Sequence, residues 1–302
     1  MAQAREIKGR IANIKDIKQI TKAMNAIAMA KVTRLKNKLE DARPYQEIVD
    51  EKLRLLERNV NADEETPVSP LLDEGNGDGV GLMVFNSDRG LAGNYTIDLN
   101  RAARDFVRSR DREVRIYAGG EKGHNFFKGW EEFERSWIDF YQEPDFHKAE
   151  AIGKELLNAY EGGEIGELWA IYMKFNSDLN QELKVEKILP LAADEKSEEV
   201  TEAEEVGVAR SHLQDEHVFE PNREEILTNF LEEWFLERIF WIILNTKTSE
   251  HAIRRKAMRD ATDNANELID DLTLTYNKAR QQQITREIAD IIGGAEALRE
   301  EA

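Results

Sequence analysis

Two stretches of this 302-residue chain carry apolar positions in steps of three and four with nothing to interrupt them. Between Gly9 and Pro44 there is neither glycine nor proline, and Ile7, Ile11, Ile14, Ile20, Met24, Ile27, Leu35 and Leu39 form a narrow helical stripe. Ala26, Ala28 and Ala30 thicken that stripe and let a partner helix come close. The second stretch is longer. After Pro221, Asn222 suits an N-cap, and Glu224 and Glu225 fall in the first turn, where the helix dipole favours them. Neither glycine nor proline recurs before Gly293, so the spacing predicts a rod on the order of 100 Å at 1.5 Å per residue. Its stripe continues through Leu268, Leu272, Tyr276, Ala279, Ile284, Ile288, Ile291, Ala295 and Leu298, with Gly293-Gly294 loosening the last turns.

Between these helices the period changes. Val80–Phe85, Val114–Ala118 and Leu168–Met173 are short apolar runs flanked by Gly, Asn or Asp, as buried strands are. Leu99–Arg110 and Phe146–Tyr160 read as amphipathic helices between them, and Lys184–Leu191 as an edge strand. Alternating strands and helices imply a small α/β domain with a largely parallel sheet. Asn61–Gly79 reads as a polar linker and 192–207 as an acidic, mobile loop. The expected fold class is therefore mixed, α+β: a long antiparallel coiled coil of N- and C-terminal helices with a small Rossmann-like α/β domain inserted. The expected division is 1–60 for the first helix, 76–212 for the α/β domain with its acidic loop, and 218–302 for the last helix.

Charge adds a polarity to this picture. The net charge is −18, yet the first 39 residues hold ten Lys or Arg against Glu6 and Asp16. An acidic chain of this kind is not expected to bind nucleic acid, whereas its basic end suits an acidic protein surface. The acidic excess also raises salt adaptation of the host as a hypothesis, tested by whether stability rises with molar salt. Charged residues make up 34% of the chain, which favours long wet helices over a compact ball. No run of about 18 uncharged apolar residues occurs, and Trp234–Leu244 is interrupted by Glu237 and Arg238, so no membrane span is expected. Met1–Ile7 passes directly into helical periodicity, without the apolar core of a cleavable signal. Cysteine is absent, which excludes disulfides, thiolate metal sites and cysteine nucleophiles and fits a reducing cytoplasm.

Enzyme-like features are weak. Gly119-Gly120-Glu121-Lys122-Gly123 has neither dinucleotide-binding nor P-loop spacing and reads as a strand-to-helix turn. The five histidines lack metal-ligand spacing, so no metal is expected, and no cofactor either. No nucleophile elbow or catalytic carboxylate pair is convincing.

Four strings nonetheless resemble one family. Ile7-Lys8-Gly9-Arg10-Ile11 through Ile20-Thr21-Lys22-Ala23-Met24 and Ala30-Lys31 is similar to the N-terminal helix of F-type ATP synthase gamma subunits. Ser87–Tyr95 resembles the family's loop after the first strand, with Ala92 where cysteine or another small residue is usual. Ala261-Thr262-Asp263-Asn264-Ala265 and Tyr276–Gln281 resemble the C-terminal helix, and Ile284-Thr285-Arg286-Glu287, Asp290 and Gly294-Ala295 its end. The likeness covers essentially the whole chain, is loosest over 194–217, and lacks the redox-controlled cysteine insertion of chloroplast relatives.

The resemblance implies a non-catalytic rotor shaft. Its paired helices would stand inside a hexamer of alternating alpha and beta subunits, with the globular domain on the membrane's c-ring beside the epsilon subunit. Rotation would couple ion flow to ATP synthesis or hydrolysis, as a peripheral complex on the cytoplasmic face of the bacterial plasma membrane. Residue by residue, Met24, Arg254, Arg280, Gln281, Thr285 and Glu287 match positions that meet the hexamer, and Glu220 one that faces the c-ring. Lys22 and Lys31 are weaker candidates for acidic partner loops. Each has a plainer reading. Met24 can be coiled-coil core, Glu220 helix-entry chemistry, Thr285 and Glu287 an ordinary surface pair, and the basic residues solvated surface. Arg255 and Lys256 stand where the family is apolar, which makes the patch around Arg254 more basic. Two other classes remain open: a nucleotide-binding enzyme on the α/β domain, marked by tight ligand binding alone, and a coiled-coil scaffold, marked by a stable homodimer.

Overall fold

The computed structural model describes residues 2–60, 69, 71–72, 75–139, 143–191 and 223–300. Among the described residues ten elements follow one another: α1 (Ala2–Val60), β1 (Val80–Phe85), α2 (Tyr95–Arg108), β2 (Val114–Gly119), α3 (Glu121–Phe127), β3 (Phe133–Trp137), α4 (Phe146–Glu161), β4 (Glu167–Phe175), β5 (Gln181–Leu189) and α5 (Arg223–Glu300). The acidic segment 192–207, Glu220 and Asn222 lie outside the described residues. By internal contacts the chain forms two compact units: Met1–Lys31 with His251–Ala302, and Val32–Glu250.

In the larger unit, five strands form one sheet in the order β3-β2-β1-β4-β5. The first three pairings are parallel, and β4 and β5 form an antiparallel hairpin that leaves β5 at the edge. β1 is buried at all six positions, the signature of a strand covered on both faces. The apolar runs read as strands are strands. β3 was not expected, because Phe-Glu-Arg-Ser-Trp has neither a continuous apolar run nor clean alternation. α3 occupies the turn after Gly119, and Gly120 makes that turn possible. Its φ of 81° is open to glycine, and a Cβ there would sit 2.6 Å from the Asn86 carbonyl oxygen.

α4 and the first part of α5 share the main core of this unit. Ile152, Leu156 and Tyr160 of α4 cluster with Leu231, Phe235, Ile239, Ile242 and Ile243 of α5 and with Leu168 and Ala170 of β4. Each fully buried aliphatic or aromatic side chain of this kind contributes about 1.5–3 kcal/mol. Polar links tie α5 to the sheet hairpin: the Tyr172 hydroxyl donates to Glu186 Oε2 at 2.8 Å, and Arg238 pairs with the same carboxylate. α1 is fastened here too, by Arg34 on Glu143 at 2.7 Å and Lys38 on the Pro144 carbonyl at 3.1 Å.

The smaller unit is the coiled coil of the two terminal helices. Its α1 seam takes Ile7, Ile11, Ile14, Lys18, Thr21, Asn25 and Ala28, alternating steps of four and three, and all are buried or half-buried. On α5 the same alternation runs through Met258, Thr262, Ala265, Ile269, Leu272, Tyr276, Ala279 and Gln283. Thr21 and Thr262 meet across the interface, hydroxyl to hydroxyl, at 2.8 Å.

This register corrects the expected stripe. Ile20 and Ile27 are 58% and 60% exposed, and Leu268, Ile284, Ile288 and Ile291 are exposed as well. A seam that stays on its partner needs a period of 3.5, and that period passes through Thr21, Asn25 and Ala28 rather than through the larger neighbours. Gly293-Gly294 does not end α5, which is helical through Glu300. Pro44 likewise lies inside α1, exposed to solvent.

Candidate functional site

Two places concentrate unusual chemistry: the outer faces of the coiled coil, and the crevice of the sheet.

On the coiled coil, the seam satisfies itself and leaves a second apolar set uncovered. Ile17, Ile20, Ile27 and Met29 on α1 and Leu268, Leu274, Ile284, Ile288, Ile291 and Ile292 on α5 are between 42% and 71% exposed. Exposed large apolar side chains repeated along two paired helices offer a surface that another chain can cover. The unit also differs in charge. It carries fifteen Lys and Arg against twelve Asp and Glu, so the rest of the chain holds a net −21.

The sequence-nominated residues fall on this unit except Glu220, which lies outside the described residues. Met24 is half-buried at the rim of the seam, compatible with both of its readings. Arg280, Gln281, Thr285 and Glu287 are all exposed, near the far end of α5, and Glu287 accepts a bond from Gln283 Nε2 at 2.8 Å. Arg254 is different. It is 6% exposed, with a guanidinium nitrogen 3.1 Å from His251 Nδ1, and the neighbouring Lys256 and Arg259 are the exposed cations. Lys22 is exposed and Lys31 half-buried.

The crevice of the sheet lies where the chain switches direction, between the C-terminal ends of β1 and β4. In open α/β sheets that is where a ligand sits. Here α5 fills it. Met173 and Phe175 extend beyond the end of β1, so their backbone N–H groups have no strand to bond. Thr246 Oγ1 and Asn245 Oδ1 accept them instead, at 3.4 and 3.2 Å. The Tyr95 hydroxyl donates to the Phe85 carbonyl at 3.1 Å and stands 3.5 Å from the Thr246 carbonyl.

Next along α5, the Lys247 ammonium lies 2.8 Å from Glu250 Oε2 and 3.6 Å from Asp88 Oδ2, with both carboxylates and the lysine at most 4% exposed. The second oxygen of Asp88 accepts the backbone N–H of Glu121 at 3.1 Å and of Asp139 at 3.3 Å. Asn86 bonds Asn100 at 2.7 Å, and Ser87 bonds Thr96 at 3.0 Å, which holds the loop after β1 from behind. Residue reading missed this cluster. Its signal was available: Asn245–Glu250 is a fully polar run following a mostly apolar block, with no helical alternation. A helix that buries six consecutive polar residues must be surrounded on all sides.

A separate cavity of about 410 Å³ opens beside the start of β2 and is lined by Arg110, Arg112, Arg115 and several glutamates. Its cations are engaged. Arg110 lies 4.7 Å from the Phe106 ring centre and 4.6 Å from that of Trp169. Arg112 bonds Glu167 and the Asp78 carbonyl, and Arg115 pairs with Glu113, Glu134 and Glu164. Glu167 titrates below the usual carboxylate range: burial opposes this, but the Trp169 N–H and the charges of Lys187, Arg112 and Arg110 outweigh it. Tyr117 is pushed up to about 12 by burial and then by Glu134 and Glu164, and Tyr172 is also raised, by burial and Glu186. Neither phenol is poised for proton transfer near neutral pH.

Comparison with known proteins follows the same outline. The family described as ATP synthase matches residues 3–298. The ATP synthase gamma chains of Desulfitobacterium hafniense and Syntrophobacter fumaroxidans are 36% and 37% identical, each over 99% of this chain and the whole relative. That of Staphylococcus carnosus is 34% identical with the same coverage. Among solved structures, a chain of the Euglena gracilis mitochondrial ATP synthase superposes with a TM-score of 0.64 at 16% identity, covering 98% of this chain and 95% of that one. A chain of the Tetrahymena thermophila central stalk and c-ring gives 0.58 at 21% identity, covering 80% and 99%. At such identities the likeness concerns the fold.

Proposed function

The chain belongs to the ATP synthase gamma chain family, and from that premise we propose that it is a non-catalytic central-stalk rotor, turned by a c-ring and read by the catalytic hexamer around it. The observation that carries this reading is the second apolar set on the coiled coil. A pair of helices whose seam is complete has no internal use for Ile17, Ile20, Ile27, Leu274, Ile288 and Ile291, all left exposed. A sleeve of other subunits has.

The mechanism needs stiffness and asymmetry more than chemistry. Two helices wound on each other resist bending, and their outer faces differ around the circumference in apolar and charged content. Turning such a shaft inside a ring of subunits presents each one in succession with a different surface, so each is biased in turn between open and closed arrangements. The charge distribution assists placement, since the positive shaft suits acidic loops of alpha and beta. Arg280 and Gln281 offer a guanidinium and an amide for charge-assisted bonds to such loops, and Thr285 and Glu287 extend the same face. Arg254 is buried against His251, so the exposed Lys256 and Arg259 would present the positive charge of that patch.

No helix among the described residues is long and apolar enough to cross a membrane. We assign attachment to the c-ring, beside the epsilon subunit and on the cytoplasmic face, to the α/β domain; Glu220, outside the described residues, is nominated for it by the resemblance alone. The filled crevice disfavours the reading as a nucleotide-binding enzyme. The test is reconstitution with alpha and beta subunits: recovery of a complex in which ATP hydrolysis rotates a probe on this chain is expected. A stable homodimer that ignores alpha and beta, or tight nucleotide binding by the chain alone, would overturn it.

A further inference from the structure

We propose that Lys247 is a positioning residue of the rotor: its buried ammonium keys α5 to the loop after β1, so that α5 cannot turn about its own axis within the α/β domain. The proposal rests on the rotor reading above and adds a residue to it.

Apolar packing fixes which face of α5 meets the core, and directional contacts narrow its angle further. Hydrogen bonds are directional, and a buried ion pair fixes where its two charges must sit; here such contacts leave α5 on several sides within six residues. Asn245 and Thr246 hold the N–H groups of Phe175 and Met173 on β4. One residue on, a further step of about 100° round the helix, Lys247 meets Asp88. Asp88 in turn holds the first turn of α3 through Glu121 N and the residues after β3 through Asp139 N. Lys247 therefore connects α5 with three separate parts of the sheet's C-terminal edge. Glu250, one turn along, fixes the ammonium at 2.8 Å.

Rotating α5 by one residue would carry Glu250 round with Lys247, place Thr246 or Thr248 before Asp88 and leave that buried carboxylate without a cation. Such groups are costly when unpaired, so the arrangement tolerates one rotational setting. In a rotor this is the property that matters. Torque entering at the α/β domain reaches α5 without slip only if the helix is locked in angle as well as in position.

The test uses the assembled complex with alpha and beta. The chain lacks cysteine, so Lys128→Cys, at an exposed position, gives a unique attachment for a bead or gold probe on the α/β domain. The readout is the width of the probe's angular distribution during a catalytic dwell, which reports torsional compliance. Lys247→Gln removes the charge, and the triple variant Asp88→Asn/Lys247→Met/Glu250→Gln removes every charge while roughly preserving volume. We expect at least a twofold increase in angular variance in whichever of these assembles, with unloaded ATP hydrolysis unchanged, and wild-type variance in Lys247→Arg. Unchanged variance in an assembled neutral variant overturns the proposal. So does equal broadening in Lys247→Arg, which would assign the effect to packing rather than charge. Failure of both neutral variants to assemble also overturns it, because the link would then serve folding as a whole. A wild-type chain that does not rotate at all refutes the rotor reading instead.

Discussion

The coiled-coil register makes a quantitative contrast between two apolar residues of similar size. Met258 is 4% exposed at a seam position of α5, whereas Ile27 is 60% exposed on α1, beside the seam residue Ala28. Truncating Met258 to alanine removes buried methylene and thioether contacts and leaves a void, a change that costs about 2–4 kcal/mol. Truncating Ile27 removes a side chain that water already wets over most of its area. Its loss of roughly 0.5–1 kcal/mol of burial is partly offset by the better helix propensity of alanine, about 0.4 kcal/mol. Urea unfolding of the isolated chain, followed by far-ultraviolet circular dichroism, should show a clear drop in midpoint for Met258→Ala and nearly none for Ile27→Ala. In the assembled complex the order narrows. Covering the remaining area of Ile27 under alpha and beta would contribute about 1–2 kcal/mol, so Ile27→Ala should weaken assembly by roughly 5- to 30-fold. If Ile27→Ala destabilises the isolated chain as much as Met258→Ala does, the seam runs through Ile27 and the 3.5-residue register is wrong.

Reversing charge at Arg280, an exposed cation of the nominated hexamer-facing set, should lower affinity for alpha and beta or the coupled turnover and leave urea stability unchanged; normal assembly and turnover would remove the assigned contact. Gly120→Ala places a Cβ at a φ of 81° and 2.6 Å from the Asn86 carbonyl oxygen, and should destabilise by roughly 3 kcal/mol in equilibrium unfolding; a loss below 1 kcal/mol would deny the tight turn. Glu237 titrates above the usual carboxylate range because of burial and then Glu233. The folded chain thus holds that proton more firmly than the unfolded one, and stability falls as pH rises from the unfolded pKa through the raised folded one. Glu237→Gln should therefore raise the thermal midpoint at pH 7 and change it little near pH 4, and an equal gain at both would reject the titration.

Much of the architecture was written in local pattern. Val80–Phe85 could be read as a buried strand because a sheet covered on both faces demands an unbroken apolar run, and β1 spans those residues. The terminal helices were legible for a negative reason: long stretches without glycine or proline leave few alternatives to a helix. Of the nominated site, the exposed group Arg280, Gln281, Thr285 and Glu287 could be named from family strings, because those lie along one uninterrupted helix. Any partner they meet would be on another chain, which no amount of reading this one supplies. β3 escaped because an edge strand needs little apolar content to pair on one side.

What the sequence determined by itself, then, is net charge and those elements whose local pattern is unambiguous: the long uninterrupted helices and the continuously apolar strands, but not β3, nor whether Pro44 and Gly293-Gly294 break a helix. The tertiary structure decided the rest. Which stripe of α1 faces α5 depends on keeping two helices in contact over many turns, and that selects Thr21 over Ile20 against the preference of either residue alone. Whether Lys247 is solvated or buried depends on Asp88, 159 positions earlier. Pairwise contacts between residues so far apart carry no local period, and only the folded chain brings them into register.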